Sequence, residues 1–333
     1  MEKDLGRRPL ISAGLTVIIV NWNVRELLIQ CLDSIFSQAN AESVEVIVVD
    51  NNSSDGSVGA VKSLYPNVKL IANRTNLGYG SAINQAARMA SSDLLFVLNP
   101  DTIVLGNTLL VAKRFMEDNP KVGVGGCFIY HPDRSPQDCF FRFPTLASSF
   151  SKSFSLFRIL PKTRYTLPFF NTISIDNGQI PESVSGSGMV IRKSVFEEVE
   201  GFDEDYFLYY EETDLCYRIR ERGWKIAAIP GTRIIHMFQQ SARKNYSVAI
   251  FQDVKSEFRF CKKCYPKNKL IILRLIQFSG TLFRIAYWFL NSLFKSDDFE
   301  AKAKLKGYLS LLLANYDYGR SLYRTKTQRI VRA

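Results

Sequence analysis

The side chains able to do chemistry stand in a few short polar clusters. Asp50-Asn51-Asn52-Ser53-Ser54-Asp55-Gly56-Ser57 opens with a carboxylate that can accept a hydrogen bond from the imide N–H of a uracil or thymine ring. The same residue types build turns and helix caps, so the segment alone does not choose between a base contact and a turn. In Asn99-Pro100-Asp101, Asp101 is a hard oxygen ligand for a divalent cation, Mg2+ or Mn2+, of the kind that neutralises charge on a departing pyrophosphate. Asn99 can bond a sugar hydroxyl or a metal-bound water. Glu211, Glu212 and Asp214 lie within four residues. One of them can remove a hydroxyl proton as general base, or all can complement the positive end of a helix. His236 is one of two histidines, the other being His131 beside Pro132, and imidazole serves as metal ligand or structural group. Asn76-Leu77-Gly78-Tyr79-Gly80 lacks the third glycine of a dinucleotide fingerprint, because position 83 is Ile. It leaves open a close approach of backbone to a sugar nucleotide.

Regular elements must bring these clusters together. Apolar, β-branched runs at Thr16–Val20, Val44–Val49, Val68–Ala72 and Leu94–Leu98 predict buried strands. Helical spacing fills Arg25–Gln38, Val58–Leu64 and Gly80–Ala90 between them. The alternation predicts a mostly parallel central sheet with helices on both faces. Ligands of such sheets bind beyond the carboxyl ends of the strands, and there this sequence turns polar, at Asn21, Asp50, Asn73 and Asn99. Residues 132–180 show little periodicity and read as a long loop or lid. Order returns at Ser183–Arg192, with a helix near Ser194, a second over Asp214–Arg222 stopped by Gly223, and short strands at Ile226–Ile229 and Arg233–Ile235.

The chain has 333 residues, enough for one large α/β domain with an appendage, and 46% hydrophobic composition excludes disorder. Six scattered cysteines make no disulfide framework, and the lone Cys261–Cys264 pair is weak support for zinc. The apolar run Leu15–Val20 is too short for a secretory signal and reads as a strand after an N-terminal extension, residues 1–13. The net charge of +11 resides wholly after residue 260, where 15 Lys and Arg meet 4 Asp and Glu. Such a tail suits anionic lipid or nucleic acid. Within it, Leu270–Phe294 is apolar but interrupted by Arg274, Gln277, Thr281, Arg284, Asn291 and Lys295, with Trp288 in step. These form one polar seam roughly 100° wide on a helix. A spanning helix would expose that row to lipid. An in-plane amphipathic helix would accommodate it, the tail's charge favours the membrane over a helix packed on the protein's own core, and the seam fits lipid better than nucleic acid.

Taken in order, the motifs resemble glycosyltransferase family 2, the GT-A (nucleotide-diphospho-sugar transferase) fold, in its rhamnosyltransferase-like branch. The resemblance covers about residues 14–245. It is carried by Val17–Asn23, Val49–Ser57, Asn76–Gly80 with Asn84, and Leu98–Asp101, then by Ser185–Met189, Gly201–Glu204, Glu211–Leu215, His236 and Ser241. It implies nucleotide-sugar binding by Asn21, Asp50, Asn76, Gly78, Asn99 and Asp101, with a divalent metal on Asp101 and His236. Glu212 takes the place of the catalytic base, and Gly186, Ser187, Gly188, Glu211 and Asp214 line the acceptor site. Asn99 stands where the metal motif usually begins with Asp, and Glu212 where the base is usually Asp.

The expectation is an inverting transfer of a sugar, foremost L-rhamnose from a dTDP donor, with UDP- and GDP-sugars as alternatives. The acceptor is a lipid-linked or polysaccharide hydroxyl in cell-envelope glycan synthesis, at the inner face of the cytoplasmic membrane. The implied layout is a catalytic domain over 14–245 and a basic helical membrane-associating region over 246–333, with no nucleic-acid partner. Rival readings are another hexosyl donor, or a non-catalytic nucleotide-sugar or membrane-binding module of the same fold. A nucleotidyltransferase would need a glycine- and lysine-rich loop near the N-terminus, and Asn21–Arg25 is not one.

Overall fold

A computed structural model describes residues 14–38, 44–156, 159–160, 172–173, 180–237, 246–294 and 299–317. Ser241 of the family motif lies outside them. The chain divides into two compact units, Met1–Phe141 with Ile173–Asp205 and Glu212–Gln240, and Arg142–Thr172 with Tyr206–Glu211 and Ser241–Ala333.

The first unit begins with β1 (Leu15–Asn21), α1 (Arg25–Phe36), β2 (Val44–Asp50), α2 (Ser57–Leu64), β3 (Lys69–Ala72), α3 (Tyr79–Met89) and β4 (Leu94–Leu98). These are the predicted strands and helices, shifted by a residue or two. Among the described residues eight strands form one sheet in the order β3-β2-β1-β4-β9-β6-β10-β5. Its further members are β5 (Thr102–Val104), β6 (Val122–Tyr130), β9 (Gly188–Arg192) and β10 (Lys225–His236), with α4 (Thr108–Asp118) after β5. Only β9 and β5 run antiparallel to their neighbours. The carboxyl ends of β1, β2, β3, β4, β6 and β10 therefore share one edge, and β9 and β5 start there.

The core explains why these segments are strands. Val17, Ile18, Ile19, Ile47, Val48, Val49, Phe96 and Val97 are wholly buried, and each such side chain adds roughly 1.5–3 kcal/mol. The two late strands predicted from sequence are one long β10. Its pairing with β6 shifts between Ile229 and Ile234, where Gly231 adopts φ +82°. That irregularity breaks the apolar run and conceals the continuity.

Residues 132–180 are not one loop. They contain β7 (Phe140–Phe141), which pairs with β8 (Ser183–Val184), and in the second unit α5 (Leu146–Phe154). Thr145 caps α5 in a reciprocal box with Ser148. The apolar period is missing because the buried positions of α5 are Ser148, Ser149 and Ser151. The first unit is completed by α6 (Lys193–Glu198) and α7 (Glu211–Glu221), which starts three residues earlier than the sequence suggests.

The second unit holds α5 with α8 (Tyr246–Cys264), α9 (Lys267–Phe294) and α10 (Phe299–Asp317). Its interior is polar. Lys152 Nζ lies 2.7 Å from Asp253 and 3.6 Å from Glu257, and donates to Tyr210 Oη at 3.0 Å. Burial pulls the Lys152 ammonium down, but these two carboxylates outweigh it and hold its pKa well above the ordinary value. Glu257 also accepts from Ser149 at 2.7 Å and Gln277 at 3.2 Å. Gln277 and Thr281 of the α9 seam are thus buried and face inward, whereas Arg274 of the same seam is exposed and Lys295 lies outside the described residues.

Close packing in the sheet makes one test. A Cβ on Gly126 of β6 would lie 2.7 Å from Val184 Cβ, an atom fixed to the β8 backbone. Gly126→Ala should cost about 1–3 kcal/mol by overpacking, read as a lowered midpoint in denaturant unfolding.

Candidate active site

At the shared edge the polar clusters become one surface. Asn21 ends β1 and is in register with Asp50 at the end of β2. Buried Asn21 donates to Asp50 Oδ2 at 2.8 Å and to Ser53 Oγ at 3.1 Å, and Ser53 N–H donates to Asp50 Oδ1 at 2.8 Å. Asn21 therefore aims Asp50, and its own Oδ1 is buried without a hydrogen-bond partner. Asn51 Nδ2 reaches Gly78 O at 3.1 Å, and Asn76 Oδ1 accepts from Gly78 N–H at 2.9 Å. Gly78 has φ +89° and ψ 171°, a region open essentially to glycine alone. The second cluster is thereby stitched to the first.

Asn99 follows β4, one strand beyond β1. Two strand spacings put it roughly 10 Å from Asp50, the reach between a nucleotide's base and its phosphates. Leu98 pairs with Gly188, so Asn99 meets Ser187, to whose Oγ it donates at 2.9 Å. Tyr79 Oη donates to Gly186 O at 2.9 Å and fixes the same turn. After Asp101 the chain enters β5, which pairs antiparallel with the end of β10, His236 opposite Thr102. That pairing sets His236 Nε2 3.2 Å from Asp101 Oδ1, 3.4 Å from Asn99 Nδ2 and 3.5 Å from Ser187 Oγ. Asp101 and His236 are 8% and 7% exposed, enough for a ligand to reach them.

Sequence reasoning missed Gln137. Its Oε1 lies 2.9 Å from His236 Nδ1, and its Nε2 lies 3.5 Å from His131 Nδ1. A carbonyl oxygen only accepts, so Nδ1 carries the proton and Nε2 faces Asp101. Nε2 and the Asp101 carboxylate are thus placed to share a cation. Nothing marks Gln137 in the sequence, since it stands in an aperiodic stretch 99 residues from His236. Among the described residues no third His, Cys, Asp or Glu joins Asp101 and His236 as a metal-binding group. Two protein donors plus substrate phosphates is the usual arrangement for a hard divalent ion, so these residues fit such a cation.

Glu212 approaches from α7. Arg220 lies 3.3 Å from Glu182, and the Cys216 thiol is hydrogen-bonded to the Val184 backbone. Four helical residues and two strand residues both advance about 6–7 Å. Glu212 lies one further helical turn along the face of α7 that carries Arg220 and Cys216. Its Oε2 is shut off from solvent and has no hydrogen-bond partner among the described residues. Burial raises its pKa above the ordinary carboxylate value. Asp214 instead points inward, wholly buried, and pairs with Arg218 at 2.7 Å while Arg218 donates to Val199 O. Glu211 is buried at the first position of α7.

A sequence profile described as Glycosyl transferase family 2 matches residues 16–199, more than half of the chain. The chain belongs to glycosyl transferase family 2. The transferase is 30% identical over 262 residues to N-acetylglucosaminyl-diphospho-decaprenol L-rhamnosyltransferase of Mycobacterium tuberculosis, covering 74% of this chain and 83% of that protein. It is 29% identical over 252 residues to Rhamnosyltransferase WbbL of Escherichia coli strain K12, covering 73% and 91%. It is therefore a rhamnosyltransferase-like member. Its GT-A fold is shared with mannosyltransferase PcManGT from Pyrobaculum calidifontis, solved with GDP-Man and Mn2+, at a TM-score of 0.54 and 16% identity over 93% and 88% of the two chains.

A carboxyl group with a raised folded pKa favours the fold while protonated and costs stability once pH rises through that pKa. Glu212→Gln should therefore raise the melting temperature of the transferase at neutral pH. The gap should narrow as pH falls below the folded pKa, and thermal melts of both proteins across a pH series check this.

Proposed function

We propose that this protein is an inverting, metal-dependent transferase that moves L-rhamnose from dTDP-rhamnose to a hydroxyl of a lipid-linked envelope glycan precursor. The observation that carries the mechanism is Glu212, whose Oε2 is shut off from solvent with no hydrogen-bond partner among the described residues, on the face of α7 that carries Cys216. It takes the proton of the acceptor hydroxyl, whose oxygen attacks the anomeric carbon from the side opposite the diphosphate. The bond from that carbon to the diphosphate oxygen breaks, its electron pair leaves with the diphosphate, and the configuration inverts. No enzyme nucleophile is needed.

Asp50 receives the imide N–H of the base, aimed by Asn21 and Ser53, while Gly78 lets the backbone come close to the nucleotide. Asp101 and His236 would hold a divalent cation, with Gln137 fixing the imidazole; Mn2+ in the Pyrobaculum enzyme supports this. When bound, the cation supplies Lewis-acid stabilisation of the leaving diphosphate. Asn99 and Ser187 orient donor hydroxyls, the Gly186–Gly188 turn and Glu211 flank the acceptor, and Asp214 positions α7 through Arg218. The names of the mycobacterial and Escherichia coli relatives support rhamnose, and the mycobacterial name supports a diphospho-polyprenol acceptor. Such an acceptor places the work at the inner face of the cytoplasmic membrane.

Glu212→Gln should lower transfer by about 10²–10⁴-fold while donor binding survives, measured by turnover and by calorimetric titration of dTDP-rhamnose. Full turnover in that variant removes Glu212 from the mechanism. In the wild type, kcat/KM should fall as pH drops through the raised pKa of Glu212, since only the carboxylate accepts the proton. Gln137→Leu should weaken Mn2+ affinity by about 10–100-fold in a direct metal titration, with the fold intact.

A further inference from the structure

Three of the four helices of the second unit, α5, α8 and α9, bury polar side chains beside apolar ones such as Phe260 and Leu273. The buried positions of α8 include Gln252, Ser256 and Glu257, those of α5 are serines, and α9 buries Gln277 and Thr281. Arg284 of α9 donates to Ser153 O and Tyr308 Oη, closing the seam against α5 and α10. The opposite face of α9 carries Ile271, Leu275, Phe278, Leu282, Phe289 and Leu290, each 43–63% exposed. Contiguous apolar faces of this size mark an interaction surface.

Its occupant is set by charge. Lys262, Lys263, Lys267 and Lys269 are exposed around the start of α9, in the stretch that holds the whole net charge of the chain. A cavity of about 190 Å³ opens among α8, α9 and α10, lined by Lys255 and Arg274 together with Phe251, Phe258, Phe278 and Leu311. The Arg274 guanidinium lies 4.3 Å from the centre of the Phe258 ring, held over apolar wall. Two cations among aromatic side chains, beside an outward apolar helix face, suit a phosphate with acyl chains attached.

We propose that the second unit seats on an anionic phospholipid bilayer, with α9 lying in the membrane plane and one lipid phosphate held between Lys255 and Arg274. The apolar face of α9 enters the acyl boundary and the basic end meets the headgroups. Lys267–Ser292 is long and apolar enough to cross a membrane, but a spanning pose would carry Arg274, Arg284 and the Gln277–Glu257 pair into hydrocarbon, which favours the in-plane pose. The proposal extends the reading of a lipid-linked acceptor, but its observations lie in these helices alone.

The test is co-sedimentation of the full chain with vesicles of phosphatidylcholine, of phosphatidylcholine with phosphatidylglycerol, and of phosphatidylcholine with a polyprenyl phosphate. Wild-type protein should favour the phosphatidylglycerol vesicles. Lys255→Gln with Arg274→Gln should lose about 30-fold of that preference. Leu275→Asp with Phe278→Asp should weaken binding to every vesicle. Far-UV circular dichroism confirms that both variants, changed only at the unit's outer face, stay folded. No preference for phosphatidylglycerol, an undiminished preference in the Lys255/Arg274 variant, binding driven by polyprenyl phosphate alone, or self-association through α9 without partition would each overturn the proposal. Donor hydrolysis, read separately, should be unchanged in both variants; its absence in the wild type would count against the transferase reading and leave the vesicle result standing.

Discussion

The antiparallel clasp between β5 and the end of β10 is the constraint on which the site depends. Three register pairs, Ile234 with Val104, Ile235 with Ile103 and His236 with Thr102, join residues 130 to 134 positions apart in sequence. Backbone hydrogen bonds fix them with little freedom, and Met237 N–H donates to Asp101 O at 2.9 Å just beyond the last pair. Asp101 and His236 are therefore neighbours because of strand pairing, whatever they bind. The pairing of β9 with β4 does the same for Ser187 and Asn99. Sheet register, which is stiff and cooperative, does the positioning that a loop would do poorly.

Around that clasp the polar residues divide into those that face a ligand and those that aim them. Asn21, Ser53, Asn76 and Gln137 act mainly on other residues, each taking one rotor or tautomer out of play. Asn21 Oδ1 and Glu212 Oε2 are two of several buried oxygens without a hydrogen-bond partner among the described residues. Leaving such groups unsatisfied is costly.

The first unit was legible in the sequence because its physics is conventional. Apolar residues of β1, β2 and β4 go inward, polar residues collect at strand ends, and both period and motif order point to the fold and to Asp50, Asn99, Asp101, Glu212 and His236. What could not be read were relations between distant residues. Gln137 has no local signature, Asp214 looks like Glu212 until its pairing with Arg218 is seen, and Gly231 disguises one strand as two. The second unit departs from the rule on which periodicity depends. Serines fill the buried face of α5, so the helix looked like loop, and the seam of α9 was found as a pattern although only the structure shows that its Gln277 and Thr281 face inward.

That polar interior changes what removing the C-terminal helices would do. An apolar helix that merely touched lipid could be cut away to give a better-behaved fragment. Here α9 supplies the amide that satisfies Glu257 and the guanidinium that covers the last carbonyls of α5. A fragment ending before Lys267 would keep Lys152, Asp253 and Glu257 while losing the groups that complete their hydrogen bonding, and the remaining helices would be left with a charged, half-satisfied interface. The segment that looks most like a detachable anchor is the one that closes the interior of its unit, so detergent or lipid, rather than truncation, is the physically consistent way to handle the intact chain.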